Sequence, residues 1–255
     1  MEQLHDLVTL ITNHLNLTAP TAVKTKSVAP DDSFFLVPFD DDEELVTKSS
    51  QDYSKVWSKV VASAGKRYTQ TGIDQVLLSS CKDISAFFTN FLADEAPSSI
   101  PNYMESIGDS SIITSQWSSK NKKYSPNSMT RTISYMHPVT NPMAGTPKAK
   151  AIKRQRFKKF GSYGILLESE TQVIGVPKTD CFVTREVMLV QPTSGNRGVL
   201  VTSRFQIVFT KSTMFKSIIS TQTASELKAW HKGYGRMILL SKGKHKKSKG
   251  GSWEL

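Results

Sequence analysis

Met129-Thr130-Arg131-Thr132-Ile133-Ser134-Tyr135-Met136 changes character at every step. In an extended chain Met129, Arg131, Ile133 and Tyr135 share one face, and Thr130, Thr132, Ser134 and Met136 share the other. Period-two alternation of β-branched and aromatic residues is the signature of a strand. Further along, residues 152–160, 163–170, 181–190 and 199–209 read the same way, each bounded by Gly, Pro or Asn, and residues 111–117 supply one earlier strand. Residues 191–198, Gln-Pro-Thr-Ser-Gly-Asn-Arg-Gly, read as a hairpin loop.

Helices bracket these strands. Residues 83–92 place Asp83 as an N-cap ahead of a stripe of Ile84, Phe87, Phe88, Phe91 and Leu92. A long closing helix spans about residues 212–239, with Phe215, Ile218, Ile219, Leu227, Trp230 and Tyr234 on its apolar side. One helix, consecutive antiparallel strands and a final helix make an α+β domain. A single helix cannot cover a wide concave sheet, so a gap suited to an apolar ligand is expected between them.

The 255 residues, 38% hydrophobic and 22% charged, suffice for a real core. The longest apolar runs are far too short to span a bilayer as a helix. Residues 1–15 lack the basic start and apolar block of a secretory signal. Two cysteines exclude a disulfide framework, and none of the five histidines has metal-ligand spacing to another His or Cys. Walker, Gly-x-Ser-x-Gly and Rossmann motifs are missing, and Glu168, Glu170 and Glu186 read as solvent-facing partners for nearby cations. Neither an enzyme nor a cofactor is expected, and a cytoplasmic protein is the default.

Charge is distributed unevenly. Residues 1–74 hold 11 acidic and 7 basic side chains, against 11 and 26 in residues 75–255. Between Ser119 and Phe160 there are 11 Lys and Arg and no Asp or Glu. Such a surface attracts polyanions, either an anionic membrane or nucleic acid. For nucleic acid, Tyr124, Tyr135, Phe157, Phe160 and Tyr163 would be candidate stacking platforms, although no recognised binding signature accompanies them. The loop Thr140-Asn141-Pro142-Met143-Ala144-Gly145-Thr146 is stiff, small-residued and flanked by Lys148, Lys150, Lys153 and Arg154. It suits a lid whose tip enters a headgroup layer while those cations dock on anionic lipid.

Read in order, these segments resemble a family. The run from Asp83 to Leu239 is similar to the VASt domain, the StART-like module of the Aster and Lam sterol transporters and of plant relatives. The resemblance rests on Phe87-Phe88-Thr89-Asn90-Phe91-Leu92, on Trp117 and on Arg131-Thr132-Ile133-Ser134-Tyr135. It continues through Asn141-Pro142-Met143-Ala144-Gly145 at the family's omega loop, and through Val176-Pro177-Lys178-Thr179-Asp180-Cys181-Phe182, where Lys178 replaces an aromatic residue, to the start of the closing helix at residues 211–219.

The resemblance implies a helix-grip fold, a curved antiparallel sheet wrapped around a long C-terminal helix with an internal lipid cavity. It further implies sterol binding and transfer at membrane contact sites, with no covalent chemistry. On this reading Ile133, Tyr135, Gln155, Phe157, Ile165, Leu167, Val183 and Val187 would line the cavity with Phe215, Ile218 and Ile219 from the helix. The opposite strand parity is the alternative, because periodicity does not say which face is concave. Ser134 or Gln155 would meet the sterol hydroxyl.

Three regions are expected: a partly disordered extension over 1–74, the lipid-binding domain over 75–240 and a polybasic tail over 241–255. Residues 31–45, with Phe34-Phe35-Leu36 beside an acidic run, are a candidate contact for a protein partner or a loop that folds back. Residues 1–74 are too linker-like for the GRAM domain of Aster and Lam proteins, and no spanning helix follows Leu240. Peripheral membrane association through basic side chains is therefore expected.

Overall fold

The computed structural model describes residues 50–119, 128–139, 146–176 and 178–241. Seven strands form one sheet: β1 (Gln70–Leu78), β2 (Ser110–Thr114), β3 (Ser128–Pro138), β4 (Lys148–Phe160), β5 (Gly164–Ile174), β6 (Phe182–Pro192) and β7 (Val199–Phe209). Their order is β1-β7-β6-β5-β4-β3-β2, and every neighbouring pair is antiparallel. Central strands of 11–13 residues pair in unbroken register, as their alternation predicts.

Among the described residues four α-helices accompany the sheet: α1 (Ser50–Arg67), the short α2 (Ile84–Phe87), α3 (Ile100–Ser106) and α4 (Lys216–Leu240). Asp83 caps α2 by accepting a hydrogen bond from the Ala86 amide at 2.8 Å, and the chain continues through a π turn, Phe88–Leu92. Phe87, Phe91 and Leu92 from this segment are buried in the main core with Ile133, Phe157, Ile165 and Leu167. The closing helix begins at Lys216, later than expected, with Phe215 at its N-cap position. It lies across the concave face, where Tyr234 and Ile238 are fully buried. The fold is therefore the expected α+β helix-grip arrangement.

Helix α1 and strand β1 are additions to the sequence reading. Trp57, Val60 and Ala64 pack on the sheet's outer face against Phe160, Leu166, Val187 and Leu189. Trp57 and Phe160 place their ring centroids 5.6 Å apart. The expected boundary between residues 74 and 75 falls inside β1, which pairs with β7 from Gln70 onward. Residues 50–74 are thus built into the described fold. Residues 1–49, including the candidate partner segment 31–45, and residues 242–255 of the polybasic tail lie outside the described residues. No described helix is long and apolar enough to cross a membrane.

Candidate functional site

At one end of the sheet β3, β5 and β7 finish while β4 and β6 begin. Between that end of the concave face and the first half of α4 lies a cavity of about 310 Å³. Its upper wall is mainly apolar, with Pro138 and Val139 at the end of β3, Val173 and Val176 around the end of β5, Phe182 at the start of β6, and Phe215, Ile218, Ile219 and Leu227 from the start of α4; Lys178, Thr179, Gln222, Thr223 and Glu226 add polar groups to it. The hollow is open rather than plugged by side chains, and the buried residues of α4, from His231 to Ile238, all lie in the second half of that helix.

The floor is polar. Lys153 on β4 and Glu186 on β6 point inward, with Nζ to Oε1 at 2.5 Å and each side chain only 6% exposed. Thr171 Oγ1 donates to the same carboxylate oxygen at 3.5 Å, and the Lys153 ammonium sits 5.0 Å from the Trp230 ring centroid. Behind them His231 Nε2 lies 3.4 Å from Glu186 Oε2, while its Nδ1 is 3.0 Å from Ser203 Oγ. That hydroxyl oxygen also accepts from the Ile73 amide at 2.8 Å, which ties the imidazole to β1 through Ser203. Burial lowers the His231 pKa to about 4, leaving it neutral at physiological pH. Burial alone would push Glu186 up, but Lys153 and His231, with hydrogen bonds from Lys153 and Thr171, carry it below its ordinary value.

The floor thus holds one buried charge pair with no net charge. A ligand group bearing a full charge would be uncompensated there, whereas a hydroxyl can accept from Lys153 and donate to Glu186. A second pair, Asp109 and His137 at 2.7 Å, stands in the wall near Tyr135.

Of the expected pocket residues, Tyr135, Phe215, Ile218 and Ile219 line the cavity. Ile133, Gln155, Phe157, Ile165 and Leu167 face the same side but are packed deeper. Phe157 meets Phe88 and Trp117 at 5.0 and 5.9 Å, and Gln155 is tied to Arg131 Nε at 2.8 Å and Ser169 Oγ at 3.0 Å. Val183 and Val187 point to the outer face. Strand β6 presents Phe182, Thr184 and Glu186 inward, while Val183 and Val187 alternate to the outer face, Val187 beneath α1. Ser134 likewise alternates away from the cavity-lining Tyr135 and His137.

Among the expected docking cations, Lys148 and Lys150 are exposed at the mouth end of β4, but Lys153 forms the floor. Arg154 lies on the outer face, 3.8 Å from Glu170, which also accepts from Arg185 Nε at 2.8 Å. Glu168, Glu170 and Glu186 pair with cations as expected, but all are buried rather than solvent-facing. Tyr135, Phe157 and Phe160 are buried too, which removes three of the proposed base-stacking platforms. The lid residues Thr140, Asn141, Pro142, Met143, Ala144 and Gly145 lie outside the described residues. Beside them, Val139 donates its amide to Pro147 O at 2.9 Å, and Thr146 Oγ1 donates to Lys148 O at 2.7 Å.

The sequence reading missed Thr171, Thr184 and Glu186 as cavity residues. Their signal was available in the alternation of β5 for Thr171 and of β6 for Thr184 and Glu186, had Thr and Glu been allowed to face inward.

The model of the VASt family, the VAD1 Analog of StAR-related lipid transfer domain, matches residues 73–226. The match runs from within β1 to Glu226 in α4, so it takes in every strand and the first part of the helix. No curated protein matches the chain. With about three-fifths of its length matched and the fold's cavity in place, the chain belongs to the VASt family of lipid-binding transfer modules.

Proposed function

We propose that the protein carries a sterol-class lipid between membranes. The observation that supports this most is the polarity of the cavity: a largely apolar wall with polar residues at its rim, leading to a hydrogen-bonding floor without net charge, Lys153 with Glu186. That suits a rigid, mostly apolar ligand with a single hydroxyl. The volume of about 310 Å³ stands at the low end for ligand pockets, which favours one compact lipid over a two-chain phospholipid. Burying about 300 Å² of ligand at about 25 cal/mol/Å² contributes about 7 kcal/mol, tight enough to shield the lipid yet weak enough for release.

The segment from Thr140 to Thr146 serves as lid in this reading, since its neighbours Pro138 and Val139 form part of the cavity wall. Lys148 and Lys150, just beyond it, dock on anionic bilayers, each contributing about 1 kcal/mol near the surface.

A fluorescent sterol titration tests the assignment through Trp230, which lines the cavity. Quenching should saturate near one sterol per chain. A diacyl phospholipid that displaces sterol at equal concentration would overturn the sterol assignment. Gly145→Pro should slow uptake and release together, and unchanged rates would remove the lid.

A further inference from the structure

We propose that the segment joining β7 to α4, residues 210–215, is a second membrane-contacting element, with Met214 as an apolar wedge and an anionic bilayer as its partner. The inference rests on the carrier reading for its purpose but on separate residues for its evidence. Met214 is 87% exposed, and Ile218, one helical turn further on, is 40% exposed. Solitary exposed apolar residues are ordinary. These two are distinguished by position, because the segment is the rim of the cavity: Phe215, Ile218 and Ile219 form its wall. Met214 directly precedes the wall residue Phe215 in the chain.

The charges around this rim complement an anionic surface. Lys178, Lys211 and Lys216 flank the wedge. Lys211 Nζ is 2.6 Å from Asp180 Oδ2, an exposed pair that fixes the segment against the turn before β6. Lys216 Nζ lies 5.3 Å from the Phe209 ring centroid, which holds its ammonium at the same end. Three lysines against the carboxylates of Asp180 and Glu226, which also lines the mouth, leave the rim with a positive excess of one. An exposed apolar tip within a positive collar matches a headgroup layer, whose phosphates meet the collar and whose acyl boundary receives the methionine. A protein partner or a second copy of the chain would require no such collar.

The test uses the full chain and vesicles of phosphatidylcholine with or without phosphatidylserine. Met214→Glu should weaken adsorption to the phosphatidylserine vesicles about tenfold, the scale of losing one partly inserted methionine. Ile113→Glu, at another exposed apolar residue, on β2, should not. Met214→Cys provides depth: Cys81 and Cys181 are buried, so a polarity-sensitive dye goes to position 214. Its emission should shift to the blue on adding anionic vesicles.

Unchanged adsorption by Met214→Glu, or an unshifted dye in protein that still loads one sterol, would overturn the wedge while leaving the carrier standing. Self-association abolished by Met214→Glu, with adsorption intact, would overturn it in favour of a second copy. A blue shift in protein that takes up no sterol would support the wedge and refute the carrier.

Discussion

Replacing Lys153 with methionine isolates the buried pair at the cavity floor. The substitution preserves most of the side-chain volume while leaving Glu186, 6% exposed, without its counter-charge. Removing one partner of a buried ion pair costs about 3–5 kcal/mol, whereas replacing both with apolar residues of similar volume is near neutral. Lys153→Met should therefore lose about 3–5 kcal/mol in urea unfolding, and Lys153→Met/Glu186→Leu should recover most of it.

The pH dependence has opposite signs in the two proteins. In the wild type Glu186 is held below its ordinary value, so its contribution is present above pH 4.5 and is lost as pH falls through the depressed value. In Lys153→Met the largest opposing charge is gone, burial outweighs what His231 and Thr171 still contribute, and Glu186 retains a proton that the unfolded chain releases. The stability of that variant should fall as pH rises above the ordinary value of 4.5. A loss below about 1 kcal/mol, or a double variant no more stable than the single one, would refute the reasoning.

His231, whose folded pKa of about 4 lies below its ordinary 6.5, stabilises the fold above pH 6.5 and loses that contribution as pH falls toward 4, by up to about 3 kcal/mol. His231→Phe, which can keep the stacking on Phe205, should flatten that part of the pH–stability curve; an unchanged slope would place the titration elsewhere. A Cβ on Gly164 would lie 2.3 Å from Trp57 Cζ2, so Gly164→Ala should cost about 1–3 kcal/mol in the wild type. The same change should cost far less in a Trp57→Ala background, and equal costs in chemical denaturation would contradict the packing of α1. Lys148→Glu/Lys150→Glu should slow sterol transfer to anionic acceptors at low salt with little change in equilibrium sterol binding. Arg154→Glu should instead destabilise the fold, since it sets a carboxylate beside Glu170; a purely kinetic effect would put Arg154 back among the docking cations.

The strands from β3 to β7 were legible because each alternates and ends in turn-forming residues. The closing helix was legible from its apolar stripe. Parity failed at β6 for a physical reason: the cavity wall there carries Thr184 and Glu186, while Val187 and Leu189 on the opposite face are covered by α1. The rule that apolar means inward holds only when one face of a strand is buried against apolar material. Lys153 was misread as a surface cation by the same logic, since its acidic partner comes from a strand 33 residues away. Helix α1 was readable after all, because Tyr53, Val56, Trp57, Val60, Val61 and Ala64 recur at helical spacing. Strand β1 was not, since Gly72 and Asp74 interrupt its pattern and its register shifts twice.

The central claim is that the hollow beneath the start of α4 holds one lipid. Native mass spectrometry of the protein purified from a eukaryotic host measures this directly. The account predicts a single adduct of sterol-like mass, lost when Thr184→Trp fills the cavity of an otherwise folded protein. The bare chain mass, unaltered after incubation with sterol-containing vesicles, would contradict it.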